Sequence, residues 1–538
     1  MAGPLDTLEL LRRNPVFGQL DATELAAVAR QMAWLALPGG HLLFQAGEAS
    51  DALYLLKSGS LGAYRTPEAG GPTQLAGMVT SGESVGAVGL LTGRPQAFEI
   101  RALRDSELLR LSRAGFEELT REHPEAMLGA VRNALDRLLT EGPDAPTVLP
   151  RTFAVLPFDR HVPARDIAAR LRHALLPFGP CLLVDAALGR GRSTGWFAER
   201  ESEVRFVLYV DEGEDPAWRE LCQRQADALL LLVNAGARAQ AWPDRGALDA
   251  HAAWERPRHL LLLHPGDILP GAARRWSTVL ESTLRHHHIR GDRDLARLAR
   301  LLARRSTGLV LSGGGARGFA AIGMVRALRE AGIDIDAVGG TSIGAIIGAG
   351  VACEWDDRQM REAYRRAFVD GKPLADRTVP LVALSRGRRT ARLLHEAFGD
   401  RDIEDLPLPY FCVVANLTSG NAETRRDGRL WYWLRASSAI PGVLPPVFHR
   451  RQVYVDGAVI NNLPTDVMRD DGIATIIAGN ISGDDALTAQ VEEVALPSAW
   501  RVLLQSLRGR SRPGLLPILL RAGMVNAEAA SVRRRALA

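Results

Sequence analysis

The rhythm of apolar and polar positions changes along the chain, and each change predicts a different architecture. Over residues 10–140 the apolar runs are short: Leu42-Leu43-Phe44, Ala52 to Lys57, Ser60 to Tyr64 and Leu108 to Leu111. Pro38-Gly39-Gly40, Gly47, Gly59 and Gly70-Gly71 punctuate them, a spacing that predicts a small β-barrel or jelly roll. From Arg113 to Leu139 the period lengthens to that of a helix, with Phe116, Leu119, Met127 and Val131 on one face. Glu141 to Pro150 carries Gly142, Pro143, Pro146 and Pro150 and reads as a linker.

Over residues 151–295 the apolar runs become solid. Thr152 to Pro157, Cys181 to Asp185, Val204 to Val210, Ala228 to Asn234 and His259 to His264 alternate with helical stretches such as Ala164 to Leu176 and Pro216 to Asp227. Buried strands alternating with helices predict a doubly wound parallel α/β sheet. Residues 306–480 repeat that alternation, with strands at Gly308 to Leu311, Ala337-Val338, Phe411 to Ala415, Val453 to Val455 and Thr475 to Ala478. Residues 481–538 read as a helical tail, with amphipathic stretches at Ser498 to Arg508 and Gly514 to Gly523. The whole is an α/β multidomain chain.

Composition narrows the class. The 538 residues suggest three or four domains; 46% are apolar and 24% charged, which excludes collagen-like, disordered and disulfide-scaffold classes. Cys181, Cys222, Cys353 and Cys412 form no CxxC pair, which argues against a zinc ribbon and suits a reducing compartment. A net charge of +4 implies no nucleic acid, and the excess of Arg over Lys, present only as Lys57 and Lys372, reads as codon bias. Met1 to Phe17 contains Asp6, Glu9, Arg12 and Arg13 and has no apolar signal-peptide core. The longest uncharged run, Ala337 to Cys353, is too short and Gly-rich for a spanning helix. The expected location is cytoplasmic, with any membrane contact peripheral.

Three segments carry chemistry. Gly340-Thr341-Ser342-Ile343-Gly344 is a G-x-S-x-G with a strand before it and a helix-compatible run after it, the context of a nucleophile elbow. Alone it is also readable as a Gly/Ser turn. Upstream, Ser312-Gly313-Gly314-Gly315-Ala316-Arg317-Gly318 follows a strand and opens a helix, so its N–H groups form an anion cradle. The rival is a dinucleotide loop, which needs an acid about 20 residues on, at the end of the next strand. Asp334 and Asp336 precede that strand instead, and its end is Gly339-Gly340-Thr341-Ser342, so an oxyanion hole fits better. Downstream, Asp456-Gly457-Ala458 follows Val453-Tyr454-Val455, and a carboxylate at a strand end can take a serine proton. No histidine follows Asp456, although His449 or His395 stays open as the base.

Two further motifs have bland readings. Gly189-Arg190-Gly191-Arg192-Ser193-Thr194 lacks the lysine and spacing of a P-loop and reads as a turn. His286-His287-His288 cannot easily converge on one metal ion, because consecutive side chains diverge on a helix and alternate on a strand.

In this order, the glycine loop, the Gly340 to Gly344 elbow and Asp456-Gly457-Ala458 resemble a patatin-like phospholipase. Ala436-Ser437-Ser438-Ala439-Ile440-Pro441 and Asn461-Asn462-Leu463-Pro464 match that family's segments around its catalytic aspartate. Arg224-Gln225-Ala226-Asp227 and His286-His287-His288-Ile289-Arg290 resemble the neuropathy target esterase branch, whose N-terminal domains are of the cyclic-nucleotide-binding type; Phe44 to Leu61 is similar to such a domain. The resemblance spans roughly residues 15–480. It implies a C-terminal patatin-like α/β hydrolase domain and a Ser-Asp dyad of Ser342 and Asp456. Backbone amides of Gly313, Gly314, Gly315, Ala316, Arg317 and Gly318 would form the oxyanion hole. The implied substrate is a phospholipid or lysophospholipid, with no metal and no cofactor. Trp431-Tyr432-Trp433-Leu434-Arg435 could meet a membrane, but reads first as a half-buried strand. In the N-terminal domain Ala87 and Gln96 stand where nucleotide-binding relatives usually have Glu and Arg, so cyclic nucleotide binding is expected to be weak or absent. The alternative reading is a cyclic-nucleotide-type sensor whose hydrolase activity is secondary.

Overall fold

Buried leucines on both faces of a strand help to build the N-terminal barrel. In the strand Ser106–Ser112, Leu108, Leu109 and Leu111 are all buried; Leu109 and Leu111 pack into one core and Leu108 into another, as successive strand side chains point to opposite faces. A computed structural model describes residues 4–14, 17–65, 74–124, 150–242, 257–280, 284–481 and 500. It divides into two compact units, Met1–Pro265 with Trp276–Ala299, and Gly266–Arg275 with Arg300–Ala538.

The first unit begins with two four-stranded sheets, all of whose pairings are antiparallel. One holds Met32–Leu37, Ser106–Ser112, Ala52–Ser58 and Ser84–Val85; the other holds Leu42–Phe44, Glu99–Ala102, Ser60–Arg65 and Gln74–Thr80. Leu37, Phe44, Leu56, Leu61, Ile100 and Leu108 form the core they share. The helix expected over Arg113 to Leu139 ends at Glu122. His123 leaves helical geometry because it precedes Pro124, whose ring disfavours the α conformation before it. Met127, Val131, most of the linker and nearly all of the tail lie outside the described residues. Ala87 is buried at the start of helix Ala87–Thr92, and Gln96 Nε2 donates to Ser50 Oγ at 3.0 Å.

The same unit continues as a six-stranded parallel sheet. Its spatial order is Cys181–Val184, Phe206–Val210, Thr152–Pro157, Ala228–Asn234, Arg258–Leu263, Arg285–Ile289. The Gly189 to Thr194 stretch is a turn between two short helices capped by Asp185 and Ser193. The histidine run lies on the edge strand and its side chains diverge as alternation requires. His287 Nε2 meets His259 Nδ1 at 3.0 Å, and His288 Nδ1 meets His264 Nε2 at 2.8 Å. Among the described residues no cluster of three or more His, Cys, Asp or Glu is arranged to hold a metal.

Arg104 joins the barrel to this sheet. Buried, it contacts Glu201 at 2.5 Å and Asp227 at 3.3 Å, and donates to the Gly59 carbonyl at 3.2 Å. Asp227 also accepts the Ser60 hydroxyl and the Arg151 and Thr152 amides.

The second unit is built on a seven-stranded sheet. Thr475–Gly479, Thr307–Leu311, Ala337–Thr341 and Tyr410–Asn416 run parallel; Gln452–Asp456, Val447–His449 and Asn421–Arg425 extend it antiparallel. Alternate residues face two cores: Leu309, Leu311, Val338, Cys412 and Val414 on one side, Val310, Ala337, Phe411 and Val413 on the other. Helix Ile343–Ala352 has all ten residues buried against the first core, as an all-apolar helix must be. The aromatic stretch expected as a strand is helix Leu430–Ser437. Leu430, Trp433, Leu434 and Ser437 are buried at positions 1, 4, 5 and 8 of that helix, a 3.6-residue period. Among the described residues no helix is long and apolar enough to cross a membrane.

Candidate active site

The strand Ala337–Thr341 stops against the next element with no room for a loop. Ser342 takes φ 56° and ψ −128°, and Ile343 already begins the buried helix. A non-glycine residue held there stores roughly 1–3 kcal/mol of backbone strain. The turn depends on close packing: a Cβ on Gly344 would lie 2.3 Å from the Leu311 carbonyl oxygen, and one on Gly340 would lie 2.8 Å from it. Both glycines of the elbow are therefore dictated by sterics. The Ser342 amide donates to Ser437 Oγ at 3.0 Å, and Ser437 Oγ donates to the Val413 carbonyl at 2.7 Å. Thr341 Oγ1 donates to the Asn461 carbonyl. The elbow is thus bolted to helix Leu430–Ser437 and to the Asn461 turn.

Asp456 ends the strand Gln452–Asp456 and is buried beside the elbow. Ser342 Oγ donates to its Oδ2 at 2.6 Å, and the Ala458 amide donates to its Oδ1 at 2.9 Å. Its own amide donates to the Ala439 carbonyl at 3.0 Å. Gly457 lets the chain turn under Val413, whose carbonyl oxygen lies 2.3 Å from where a Cβ would stand. Burial pushes the Asp456 carboxyl up to about 7, partly opposed by the bonds from Ser342 and Ala458. A carboxylate titrating near neutrality can take a serine proton.

The glycine loop meets the same place. A Cβ on Gly313 would lie 3.1 Å from Ser342 Cβ and 2.6 Å from Asn462 Oδ1. The Gly313 amide is not free: it donates to Asn462 Oδ1 at 2.9 Å. Gly314, Gly315 and Ala316 follow, leading into the short 3-10 turn Gly315–Phe319. Among the described residues their amides have no hydrogen-bond acceptor, and Gly315, Ala316 and Arg317 are exposed. Gly318 is buried under the Ile343 side chain. The sequence motifs contained Ser437 and Asn462 without indicating a role for either; both fix backbone atoms of the site. His449 packs on the Tyr432 and Trp433 rings, and His395 faces Asp400 and Trp431. Neither imidazole is a hydrogen-bond partner of Ser342 or Asp456 among the described residues.

Residues 309–469 match the patatin-like phospholipase family, residues 150–307 the neuropathy target esterase family P-loop like domain, and residues 34–123 the cyclic nucleotide-binding domain. The chain is 30% identical to "Patatin-like phospholipase domain-containing protein 6" of Pongo abelii, over 92% of this chain and 42% of that protein. It is 30% identical to "Neuropathy target esterase sws" of Drosophila melanogaster, over 84% of this chain and 36% of that protein. It is also 30% identical to "Lysophospholipase NTE1" of Cryptococcus neoformans, over 84% of this chain and 33% of that protein. The chain thus spans less than half the length of these relatives. Its segments are thus similar, in order, to a cyclic nucleotide-binding domain, a neuropathy target esterase family P-loop like domain and a patatin-like phospholipase.

Proposed function

We propose that this protein is a serine esterase that hydrolyses fatty acyl esters of phospholipids or lysophospholipids through a Ser342–Asp456 dyad. The observation that carries the reading is the 2.6 Å bond from Ser342 Oγ to a buried carboxylate whose titration is raised to about 7. As Oγ attacks the ester carbonyl carbon, its proton passes to Asp456 Oδ2. The carbonyl oxygen becomes an oxyanion, for which the amides of Gly314, Gly315 and Ala316 are the donors. The N-terminus of helix Ile343–Ala352 adds the positive end of its dipole. Collapse breaks the ester C–O bond, and the departing alkoxide takes the proton back from Asp456. An acyl-Ser342 remains. Water repeats the sequence: Asp456 accepts its proton, the acyl–Oγ bond breaks, and the proton returns to Ser342.

Labelling with a fluorophosphonate and fatty acid release from lysophosphatidylcholine test the reading. Ser342→Ala and Asp456→Asn should each lower turnover by about three orders of magnitude or more while the protein stays folded. His449→Ala and His395→Ala should retain most activity, since the dyad needs no imidazole. Near-normal turnover in folded Ser342→Ala or Asp456→Asn removes that residue from the mechanism. A folded His variant as inactive as Ser342→Ala replaces the dyad with a Ser-His pair.

A further inference from the structure

Between the π-helical turn Arg365–Asp370 and helix Arg388–Phe398, residues 371–387 cross the second unit without helix or extended strand. Their tip is Val379-Pro380-Leu381-Val382-Ala383-Leu384. Leu381 is 89% exposed, Val379 71%, Val382 65% and Leu384 46%. An isolated large aliphatic at the surface is ordinary, whereas four within six residues form a patch that needs a partner.

The tip is built rather than loose. Arg377 and Ser385 form an antiparallel bridge, Thr378 N–H donates to the Leu384 carbonyl at 3.1 Å, and Arg386 N–H donates to the Asp376 carbonyl at 2.8 Å. Asp376 accepts the Ser385 hydroxyl and the Arg389 amide. The apolar side chains are therefore held outward by bonded backbone. The same backbone leads to the site: Leu384 N–H donates to the Gly442 carbonyl at 2.9 Å and Ser385 N–H to the Val443 carbonyl at 3.1 Å. A few residues earlier, the Ala439 carbonyl accepts the Asp456 amide at 3.0 Å. Exposed cations flank the tip. Among the described residues Lys372, Arg377, Arg386 and Arg388 form no ion pair, while the one acid among residues 371–389, Asp376, is engaged within the loop.

We propose that residues 377–388 dock the protein on a phospholipid surface, with the aliphatic tip in the acyl layer and the flanking guanidinium groups at the headgroup phosphates. The choice of occupant rests on the lipid-esterase reading above and on charge: an unpaired cationic collar around a tip with no hydrogen-bonding side chain between Val379 and Leu384 suits phosphate over hydrocarbon. Arriving there, the protein would hold its dyad next to the surface from which an acyl ester must be drawn.

The test uses the full chain carrying Ser342→Ala, co-sedimented with vesicles of phosphatidylcholine alone or mixed with phosphatidylglycerol. That parent should bind both, and the mixed vesicles more tightly. Adding Leu381→Asp with Val382→Asp should lower partitioning at least about tenfold. Adding Arg377→Glu with Arg386→Glu should remove only the preference for the anionic vesicles. If circular dichroism shows that the aspartate pair has not folded, Leu381→Ser with Val382→Ser takes its place. Equal sedimentation of the folded tip variant overturns the proposal, as does a parent that binds neither vesicle. So does a parent dimer, seen by sedimentation velocity, that the tip substitutions dissolve, since a second copy would then cover the patch. Because binding is read without turnover, failure of fluorophosphonate labelling in the wild type counts against the esterase reading and leaves the sedimentation result to judge the loop.

Discussion

An aspartate with no cationic neighbour, closed off from water and holding a serine hydroxyl, titrates far from a surface aspartate. Burial raises the Asp456 carboxyl to about 7, and the two hydrogen bonds it accepts only partly offset this. In the proposed mechanism the base is the ionised form. Hydrolysis of a soluble ester should therefore rise with pH through about 7 as one group loses a proton. A pH–rate profile that stays flat well below that range would show that another group takes the proton. The same shift has a stability consequence. A folded-state value above the unfolded one means the folded protein holds the proton more tightly. Stability through this group thus falls as pH rises from about 3.8 to about 7, so the burial of Asp456 works against the fold. At this scale the elbow and the aspartate were legible, because Gly340, Gly344 and Gly457 are required by contacts between adjacent backbones. Ser437 and Asn462 were not, because their roles depend on where a hydroxyl and an amide point after long-range folding. Asn462 also takes the Gly313 amide that the motif alone offered to the oxyanion.

Elements were legible where their period was long enough to count. The strands that flank Ala337–Thr341 in the sheet, Thr307–Leu311 and Tyr410–Asn416, are largely apolar runs, as parallel strands covered on both faces must be. Trp431 to Arg435 reads as a strand from sequence because it is barely more than one turn of the helix Leu430–Ser437. Its helical period shows only once Leu430 and Ser437 are included. The histidine strand shows the reverse case, since alternation alone forbade a single metal site, yet sequence could not supply the partners His259 and His264. Each pair needs one ring to donate and the other to accept, so at least one ring of each pair is neutral. Burial, with Arg285 second, lowers His259 to about 3; burial, with Arg290 second and against Asp294, lowers His264 to about 4. Burial holds His287 well below its ordinary range as well. Their stabilising contribution is complete above about 6.5, the unfolded value, and is lost as pH falls toward the folded values. Thermal midpoints of the first unit should therefore drop on acidification, and His259→Asn with His287→Asn should flatten that drop. An unchanged slope in the double variant would assign the acid sensitivity elsewhere.

At the scale of the whole molecule, the barrel and the six-stranded sheet share one compact unit, and Arg104 is the side chain buried between them. Nothing in the sequence distinguishes it from the chain's many other arginines; only the fold brings Glu201 and Asp227 to it. The network is closed on every side, with Ser60, Gly59 and the Arg151 and Thr152 amides meeting the remaining polar atoms. A buried ion pair replaced as a whole can be neutral, but removal of one partner leaves a charge without compensation and costs about 3–5 kcal/mol. Arg104→Ala strands two carboxylates at once, so the penalty falls on the contact between the barrel and the sheet rather than on either core. Calorimetry should then resolve separate, lower transitions where the wild type gives one for this unit, and limited proteolysis should cut first between the barrel and the sheet. Arg104→Lys keeps the charge but lacks the planar fork needed to reach Glu201, Asp227 and Gly59 together, so it should fall between the two. Ser342, Asp456 and the glycine loop all belong to the other unit, so fluorophosphonate labelling at low temperature should survive in both variants. If Arg104→Ala melts like the wild type, the barrel is held by its apolar contacts and the buried network is incidental. If labelling is lost while the second unit stays folded, the barrel's attachment matters to the dyad itself, and the domain matched to nucleotide receptors acts on catalysis through this arginine.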